Sequence, residues 1–201
     1  MKRALGDLDR RLLEGSTAVI GVDEVGRGSL AGPVVVCAVS FGAIPVDARV
    51  QDSKRLSAAA REALVPELVA AARSWAVVEI WTELIDRLNI LEATRLAMRS
   101  AVEAVAENGA SVVVDALELG DLDATCLNST GADRDWFCVA AASILAKVHR
   151  DRLMSELSLR HPSWGWHRNK GYGTPQHRLA LDRSGRSFLH RRSFAWSPVL
   201  P

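Results

Sequence analysis

Acidic side chains follow two apolar runs of the sequence, at positions where they could hold metal ions. Asp23 and Glu24 end the run that begins at Ala18, and Asp115 ends the run that begins at Ser111. Short, β-branched runs predict buried strands, and ligands of α/β proteins bind at the carboxyl ends of such strands. Taken singly, each acid is more often a plain strand end, but acids crowded together would repel each other without a cation. Carboxylate oxygens suit Mg²⁺ or Mn²⁺, and two such ions about 4 Å apart can promote hydrolysis of a phosphodiester.

A glycine-rich loop follows the first two acids directly. Gly26 and Gly28 flank Arg27, and glycines allow positive φ angles and a close approach of the backbone to a ligand. Exposed N–H and C=O groups there could test a ribose 2′-hydroxyl, the group that distinguishes RNA from DNA. By itself the loop favours a plain tight turn.

The same loop also fits a dinucleotide-binding pattern, which would indicate an oxidoreductase. Gly26-Arg-Gly-Ser-Leu-Ala31 matches G-x-G-x-x-A after a strand, and Asp47 lies 19 residues beyond Gly28. That pattern must open a helix, whereas Gly32, Pro33 and a valine-rich run follow here. We therefore expect a strand after the loop, and a helix beginning near Gly28 would favour the oxidoreductase.

The elements that would position these groups are predicted from hydrophobic periodicity. Further strands are predicted over 33–41, 76–81 and 136–139, and helices over 57–73, 88–107, 140–159 and 176–183. Ser57 is a candidate N-cap, and Pro66 should kink or split the first of these helices. Two adjacent early strands followed by strand–helix alternation indicate an α/β fold with a mixed sheet.

Length and composition bound the class of protein. The 201 residues, 48% of them hydrophobic, suit one domain over 1–201 with a packed core. No apolar run reaches the roughly 18 residues of a membrane span, and acids interrupt the first residues, which argues against a signal peptide. Cys37, Cys126 and Cys138 are too few and too widely spaced for a disulfide framework or a zinc ribbon. We therefore expect core cysteines and a reducing, cytoplasmic setting.

Charge is divided unevenly along the chain. Residues 147–192 carry 11 Lys and Arg against 3 Asp and Glu, and the remainder carries 14 against 21. An acidic centre beside a basic surface predicts a polyanion bound by cations and attacked at a metal site, although solvated helix faces would give the same totals. A nucleic-acid-binding protein without catalysis would explain the basic region but not the acids. The five histidines lack zinc-site spacing and are predicted to be surface or phosphate-facing groups.

Six blocks of the sequence resemble the ribonuclease HII family, in the order in which that family has them. The Asp-Glu-Val-Gly-Arg-Gly signature is matched within 21–33. The other blocks are Asp52-Ser-Lys-Arg-Leu-Ser57, Ile85-Asp-Arg-Leu-Asn-Ile90, Ala140-Ala-Ala-Ser-Ile-Leu-Ala-Lys-Val-His-Arg-Asp151, Lys170-Gly-Tyr-Gly-Thr-Pro-Gln-His177 and His190-Arg-Arg-Ser-Phe194. The resemblance implies an RNase H-like fold: a mixed five-stranded sheet flanked by helices, with a basic, substrate-contacting helical and loop region over about 160–201.

The resemblance also implies the metal ligands and the ions that they bind. The first three family acids are matched by Asp23, Glu24 and Asp115. The fourth falls on Asp133 by its distance from the long helix, with Asp135 as the second choice. These acids are expected to bind two Mg²⁺ or Mn²⁺ ions, whereas Asp151 is expected to form an ion pair on its helix.

Substrate contacts are expected on the glycine loop and beyond it. By family likeness, Gly26, Arg27 and Gly28 act with Tyr172, the only tyrosine, on the sugar beside the scissile phosphate. Candidate phosphate contacts are Lys54, Asn89, Ser143 and Lys147, each of which taken singly could equally be solvent-exposed. Trp164 and Trp166 are predicted to pack locally.

The activity that the resemblance implies is endonucleolytic hydrolysis on the 5′ side of a ribonucleotide in a duplex. It would leave 3′-hydroxyl and 5′-phosphate ends. The substrates would be RNA–DNA hybrid duplexes and DNA that contains ribonucleotides, with no membrane involved. Nothing in the sequence demands more than a monomer.

Overall fold

The computed structural model describes residues 4–45, 50, 56–115, 117–120 and 125–197. Its five strands are β1 (Val19–Val25), β2 (Val34–Phe41), β3 (Ser74–Ile80), β4 (Ser111–Asp115) and β5 (Thr125–Ser129). They form one mixed sheet in the order β3–β2–β1–β4–β5. β1 pairs antiparallel with β2 and parallel with β4, so the carboxyl ends of β1 and β4 meet at one edge near the centre of the sheet.

Helices cover both faces of this sheet, as predicted. They are α1 (Asp7–Leu13), α2 (Ala58–Ala71), α3 (Thr82–Leu88), α4 (Ile90–Val105), α5 (Ala132–Asp135), α6 (Phe137–Arg160), α7 (Trp166–Asn169) and α8 (Pro175–Ser184), with a 3₁₀ turn at Pro162–Trp164. One apolar core joins the sheet to α4, and a second joins its other face to α2 and α6. None of the helices in the described ranges is both long enough and apolar enough to cross a membrane.

Side chains alternate along β1 between these two layers. Ile20 is buried in the core with α4, whereas Val19 is buried in the core with α6. Gly21 faces α6, where an added Cβ atom would overlap the backbone of Cys138, so the helix lies very close to the strand. The alternation of a strand then places Asp23 on the α6 side.

The fifth strand was predicted in the wrong place. Residues 136–139 are not a strand, because α6 already begins at Phe137. Asp9 of α1 caps this helix by accepting hydrogen bonds from the N–H groups of Phe137 and Cys138, both at 2.9 Å. A short apolar run fits a buried helix as well as a strand, and the capping residue lies more than a hundred positions away. The actual β5 is a partly exposed edge strand.

The helix predicted over 88–107 is confirmed as α4, but the helix before it, α3, was not predicted, and one expectation for α2 is wrong. Asn89 separates α3 from α4: it has a φ of 72°, and its side chain caps α4 by accepting from the N–H groups of Leu91 and Glu92. The predicted split of α2 at Pro66 is wrong, since the helix continues through it. Buried Leu64 and Leu68 anchor it on both sides of the proline. Ser57 is confirmed as the N-cap.

The chain after α6 folds back over the loop that follows β1. Two isolated antiparallel bridges join the segments, one between Ser29 and Tyr172 and one between Ala31 and His190. Trp166 is fully buried and stacks on Trp164 with ring centroids 5.3 Å apart, which confirms the predicted local packing. The helix predicted over 176–183 is confirmed as α8.

Candidate active site

A cavity of about 290 Å³ opens at the carboxyl ends of β1 and β4. Most of the residues that the sequence predicts as site residues line it. They are Asp23, Glu24, Gly26, Arg27, Gly28, Asp115, Ser143, Lys147 and Tyr172. The pairing of Val22 with Val114 brings two of the acids together, since the next residues along the parallel strands are Asp23 and Asp115.

Asp23 is the most deeply placed of the three acids in the cavity, with 8% of its surface exposed. Burial, together with the negative charges of Glu24 and Asp115, raises the pKa of Asp23 to about 8. Hydrogen bonds from the Ser143 side chain and from the N–H of Glu24 (2.8 Å) act in the opposite direction. The ionised Asp23 carboxylate is therefore costly here unless additional positive charge arrives.

Glu24 is closer to the solvent and has a cationic neighbour. Burial raises the pKa of Glu24 and the charge of Asp115 adds to this, whereas Arg27 lowers it. The guanidinium Nη1 of Arg27 lies 3.3 Å from the Glu24 Oε1 atom. A loop residue of the chain thus offsets part of the negative charge at this edge.

Asp115 is held by the N-terminus of the short helix α5. Its Oδ1 atom accepts hydrogen bonds from the N–H groups of Gly131 (2.7 Å) and Ala132 (3.3 Å). Asp133, on the same helix, is buried with 2% exposure and does not line the cavity. Asp135 is exposed. Of the two candidates for the fourth acid, Asp133 is the one buried beside the Asp115 cap.

Gly26 and Gly28 differ in what the fold requires of them. Gly26 has a φ of 88°, and an added Cβ would overlap the guanidinium of Arg150. At Gly28 a Cβ would meet nothing within 4 Å. The local fold therefore requires glycine at the first position, whereas the missing side chain at the second leaves space in front of the cavity.

In the described chain, no helix begins directly after this loop. Ser29 pairs with Tyr172, and β2 starts at Val34. The dinucleotide-binding interpretation needs a helix at Gly28, so the structure excludes it.

A comparison with family models decides between the remaining interpretations. The model described as Ribonuclease HII matches residues 20–197. This chain belongs to the ribonuclease HII family. It is 49% identical over 185 residues to Ribonuclease HII of Paracoccus denitrificans, which covers 92% of this chain and 88% of that relative. It is 41% identical over 180 residues to Ribonuclease HII of Carboxydothermus hydrogenoformans, covering 90% and 78% of the two chains.

Solved structures agree on the fold. The ribonuclease H2 of Pyrococcus horikoshii superposes with a TM-score of 0.75 at 25% identity, over 88% of this chain and 93% of that one. Bst-RNase HIII, solved in complex with Mn²⁺, superposes with a TM-score of 0.65 at 22% identity, over 96% and 71%. The predicted RNase H-like fold is confirmed. As a ribonuclease HII family member, the chain is a nuclease and hydrolase of the ribonuclease H type, and this type depends on divalent metal ions.

The donor set of the cavity fits the metal ions on which ribonucleases H depend. Carboxylate oxygens are ligands of hard divalent cations, and burial makes the charges of Asp23 and Glu24 unfavourable without one. Among the described residues, however, no three His, Cys, Asp or Glu side chains already form a group that could hold a metal. Asp115 is engaged by α5, and Glu24 by Arg27. Sharing an ion would bring oxygens of these carboxylates closer together than they lie here, while α5 can keep its hold on the Oδ1 atom of Asp115.

The remaining predicted phosphate contacts lie in different places. Lys147 lines the cavity and pairs with Asp151 at 2.6 Å, which confirms the ion pair predicted for that acid. Asn89 is exposed, caps α4 and does not line the cavity. Lys54 lies outside the described residues. A role of each lysine and of Asn89 in binding phosphate stays a prediction.

Two buried arginines that sequence analysis missed hold the glycine loop of this ribonuclease HII family member. Arg191 donates from Nη1 to the carbonyl of Arg27 (2.7 Å) and from Nη2 to that of Gly26 (2.7 Å). Arg150 donates from Nε to the carbonyl of Pro33 (2.9 Å) and from Nη2 to the Ser29 hydroxyl (2.8 Å). Both side chains are at most 1% exposed. Burial and the charge of Arg150 lower the pKa of Arg191 to about 9.

Buried histidines were also missed. The prediction that all histidines face the surface or phosphate is wrong for His177 (0% exposed) and His190 (3%). Composition places basic residues at the surface on average, so a charge count cannot find the buried ones. The available signal was their position within the late family blocks that also carry Tyr172.

Proposed function

We propose that this ribonuclease cuts duplexes on the 5′ side of a ribonucleotide, both in RNA–DNA hybrids and at ribonucleotides embedded in DNA. The products would carry 3′-hydroxyl and 5′-phosphate ends. Two divalent cations, Mg²⁺ or Mn²⁺, would be held by Asp23, Glu24 and Asp115, with Asp133 as the fourth acid. The observation that carries the proposal is the single cavity that joins three of these acids to the glycine loop and Tyr172.

The chain prepares the carboxylates for this chemistry. When bound, the cations would supply positive charge to the scissile phosphate and lower the pKa of water. Ser143 donates to Asp23, and α5 holds one oxygen of Asp115. Side chains fixed in this way lose little freedom when the substrate arrives, which favours the reaction.

The glycine loop and Tyr172 would act together on one sugar. Both line the cavity, and the bridge between Ser29 and Tyr172 joins their backbones directly. The guanidinium of Arg150 lies 5.4 Å from the centroid of the Tyr172 ring. The open space at Gly28 would let a ribose approach backbone groups that can test its 2′-hydroxyl.

The basic surface formed by α6 and the chain after it would bind the phosphates of the duplex. Lys147 lines the cavity, and exposed arginines continue outside it. They are Arg152, Arg160, Arg168, Arg183, Arg186 and Arg192. Such contacts give affinity and register without reading the sequence of bases.

The test is cleavage of a duplex that carries a single ribonucleotide, with Mg²⁺, Mn²⁺ or EDTA. We expect one metal-dependent cut on the 5′ side of the ribonucleotide, cutting of a hybrid, and no cutting of the all-DNA duplex. Tyr172→Ala should slow cleavage at the single ribonucleotide by about tenfold. Cutting on the 3′ side, or cutting in EDTA, would contradict the proposal.

The cysteines bear on the cellular compartment of the enzyme, and the cavity bears on its oligomeric state. Cys37, Cys126 and Cys138 are free thiols in the structure, which suits a reducing compartment such as the cytoplasm. We propose that the enzyme acts as a monomer, since three of the proposed acids, the glycine loop and Tyr172 already meet in one cavity within a single chain. Light scattering during size-exclusion chromatography measures this mass directly.

A further inference from the structure

Two histidines lie buried behind the wall of the cavity that carries Tyr172. His177 belongs to α8, and His190 pairs its backbone with Ala31 next to the glycine loop. Their Nε2 atoms lie 3.1 Å apart. Neither histidine lines the cavity, so neither is placed beside the acids or the sugar proposed to bind there.

The neighbours of the pair fix where each proton lies. Ser187 donates its N–H to Nδ1 of His190 (2.9 Å), so a neutral His190 must carry its proton on Nε2. The indole N–H of Trp166, which can only donate, points at Nε2 of His177 (3.2 Å). That nitrogen is therefore the acceptor, and it is shared by Trp166 and His190.

The proton of His177 consequently lies on Nδ1 and points at Tyr172. Nδ1 of His177 donates to the carbonyl oxygen of Tyr172 at 2.9 Å. The same carbonyl accepts from the N–H of Thr174 at 2.8 Å. The hydrogen bonds run in one direction, from Ser187 through His190 and His177 to the backbone of the residue whose ring lines the cavity.

This chain of hydrogen bonds requires that both histidines are neutral, and their environments favour the neutral form at neutral pH. Burial lowers the pKa of His177. Burial, then the neighbouring His177 and Arg186, lowers the pKa of His190 to about 4.

We propose that His177 and His190 are positioning residues that set the place of Tyr172 at the sugar and so favour cleavage at isolated ribonucleotides. This inference rests on the function proposed above for Tyr172. A ribonucleotide within DNA offers one 2′-hydroxyl, so its recognition depends on a few well-placed groups. A continuous hybrid offers many equivalent sites, so we expect its cleavage to depend less on how firmly Tyr172 is held.

The first experiment measures the protons themselves and requires no activity. Nitrogen NMR of the histidine rings at pH 7.5 distinguishes the two neutral tautomers. We expect His177 protonated on Nδ1 and His190 on Nε2. The opposite assignment for His177 would overturn the proposal, because Tyr172 would then receive no hydrogen bond from it.

The second experiment uses Tyr172, the only tyrosine of the chain, as its own reporter. Its ring resonances should shift and broaden in His177→Phe. They should stay close to wild type in His177→Asn, whose amide can still donate from the position of Nδ1. His149→Phe is the matched control, since His149 is exposed and pairs with Glu79. An unchanged ring in His177→Phe would overturn the proposal.

The third experiment compares two substrates. His177→Phe should lower kcat/KM about tenfold on the duplex with one ribonucleotide and about threefold or less on a continuous hybrid, with substantial rescue in His177→Asn. Equal losses on both substrates would indicate a merely structural role and contradict the proposal. If His177→Phe does not fold, the tautomers and the His177→Asn variant still decide. If wild-type enzyme cuts neither duplex, the proposed function fails, while the two NMR experiments still test the position of Tyr172.

Discussion

The acidic edge of the sheet and the buried arginines behind the glycine loop both remove charged groups from water, but they differ in how the charge is compensated. At the edge, three carboxylates share a cavity, and burial raises the pKa of Asp23 and Glu24. Behind the loop, Arg150 and Arg191 are as deeply buried, yet carbonyl and hydroxyl oxygens accept hydrogen bonds from their guanidinium groups.

The difference separates groups that need a ligand from groups that need only the fold. Buried charges are tolerated when hydrogen bonds surround them: burial lowers the pKa of Arg191 to about 9, so this side chain still carries its charge at neutral pH. Burial raises the pKa of Asp23 to about 8, so its carboxylate is disfavoured at neutral pH, and a bound cation would relieve this. The two arginines are therefore the frame that supports the glycine loop, and the acids are the groups proposed above to bind the ions.

Asp115→Asn should produce the largest effect and sharpens this comparison. The asparagine oxygen can still accept from Gly131 and Ala132, but one of the crowded negative charges is removed. We expect cleavage of the single-ribonucleotide duplex to fall on the order of 1,000-fold, while stability in EDTA stays equal or rises. Glu83→Gln, at an exposed position on α3, is the control. Near-normal turnover in Asp115→Asn would remove this acid from the site.

Arg191→Met should lower the free energy of unfolding, because it removes the support of the glycine loop. It removes the guanidinium donors from the carbonyls of Gly26, Arg27 and Gly32, although the carbonyl of Gly26 still accepts from the Ser29 hydroxyl. This loss should cost about 3–5 kcal/mol of unfolding free energy. Arg186→Met is the matched control, because Arg186 also donates to two carbonyls but is exposed. Arg186→Met should lower the free energy of unfolding by less than about 1 kcal/mol. Urea denaturation measures both, and similar losses would show that burial is not what distinguishes the two arginines.

The buried histidines should make the free energy of unfolding decrease at acidic pH. A histidine with a lowered pKa is neutral in the folded chain, so its contribution is complete above the free value of 6.5 and is lost as the pH falls to about 4. The loss should reach up to about 3 kcal/mol. Urea denaturation across this range should give a shallower pH dependence for His190→Gln than for wild type or His149→Asn. Parallel curves would contradict a neutral, buried His190.

Substitutions of the two loop glycines should have the smallest effects on cleavage and stability. These glycines lie between the acidic edge of the sheet and the buried arginines. Gly28→Ala should leave stability unchanged, because the new Cβ meets nothing, and should reduce cleavage at a ribonucleotide about tenfold. Gly26→Ala should instead lower stability, since its φ is positive and the Arg150 guanidinium fills the space. Full activity in Gly28→Ala would mean that the open space is not used by substrate.

The sequence predicted most strands and the long helix, because their apolar runs are long and regular. β1, β2, β4 and α6 were placed within a few residues. Where the prediction failed, the deciding contact was distant or local backbone geometry intervened. Asp9 caps α6 across 128 positions, and a single residue of positive φ, Asn89, divides an otherwise continuous helical pattern.

The site was predicted unevenly for a related reason. Short motifs identified the residues that line the cavity, because Asp23, Glu24 and the glycines are adjacent in sequence. The residues that hold them are far apart in the chain and of types that are usually exposed. Nothing in the spacing of Arg191 indicated that it binds the carbonyl of Gly26, and nothing in that of His177 indicated a bond to Tyr172.

The bond between Arg191 and Gly26 spans 165 residues, and this has a consequence for synthesis on the ribosome. The sheet and its helices can form as the nascent chain emerges, but the glycine loop lacks this donor until Arg191 itself has left the ribosome. Products of premature termination before Arg191 should therefore be folded in part but unable to discriminate a ribonucleotide. Ordering of the glycine loop should thus be a late event in the synthesis of this chain.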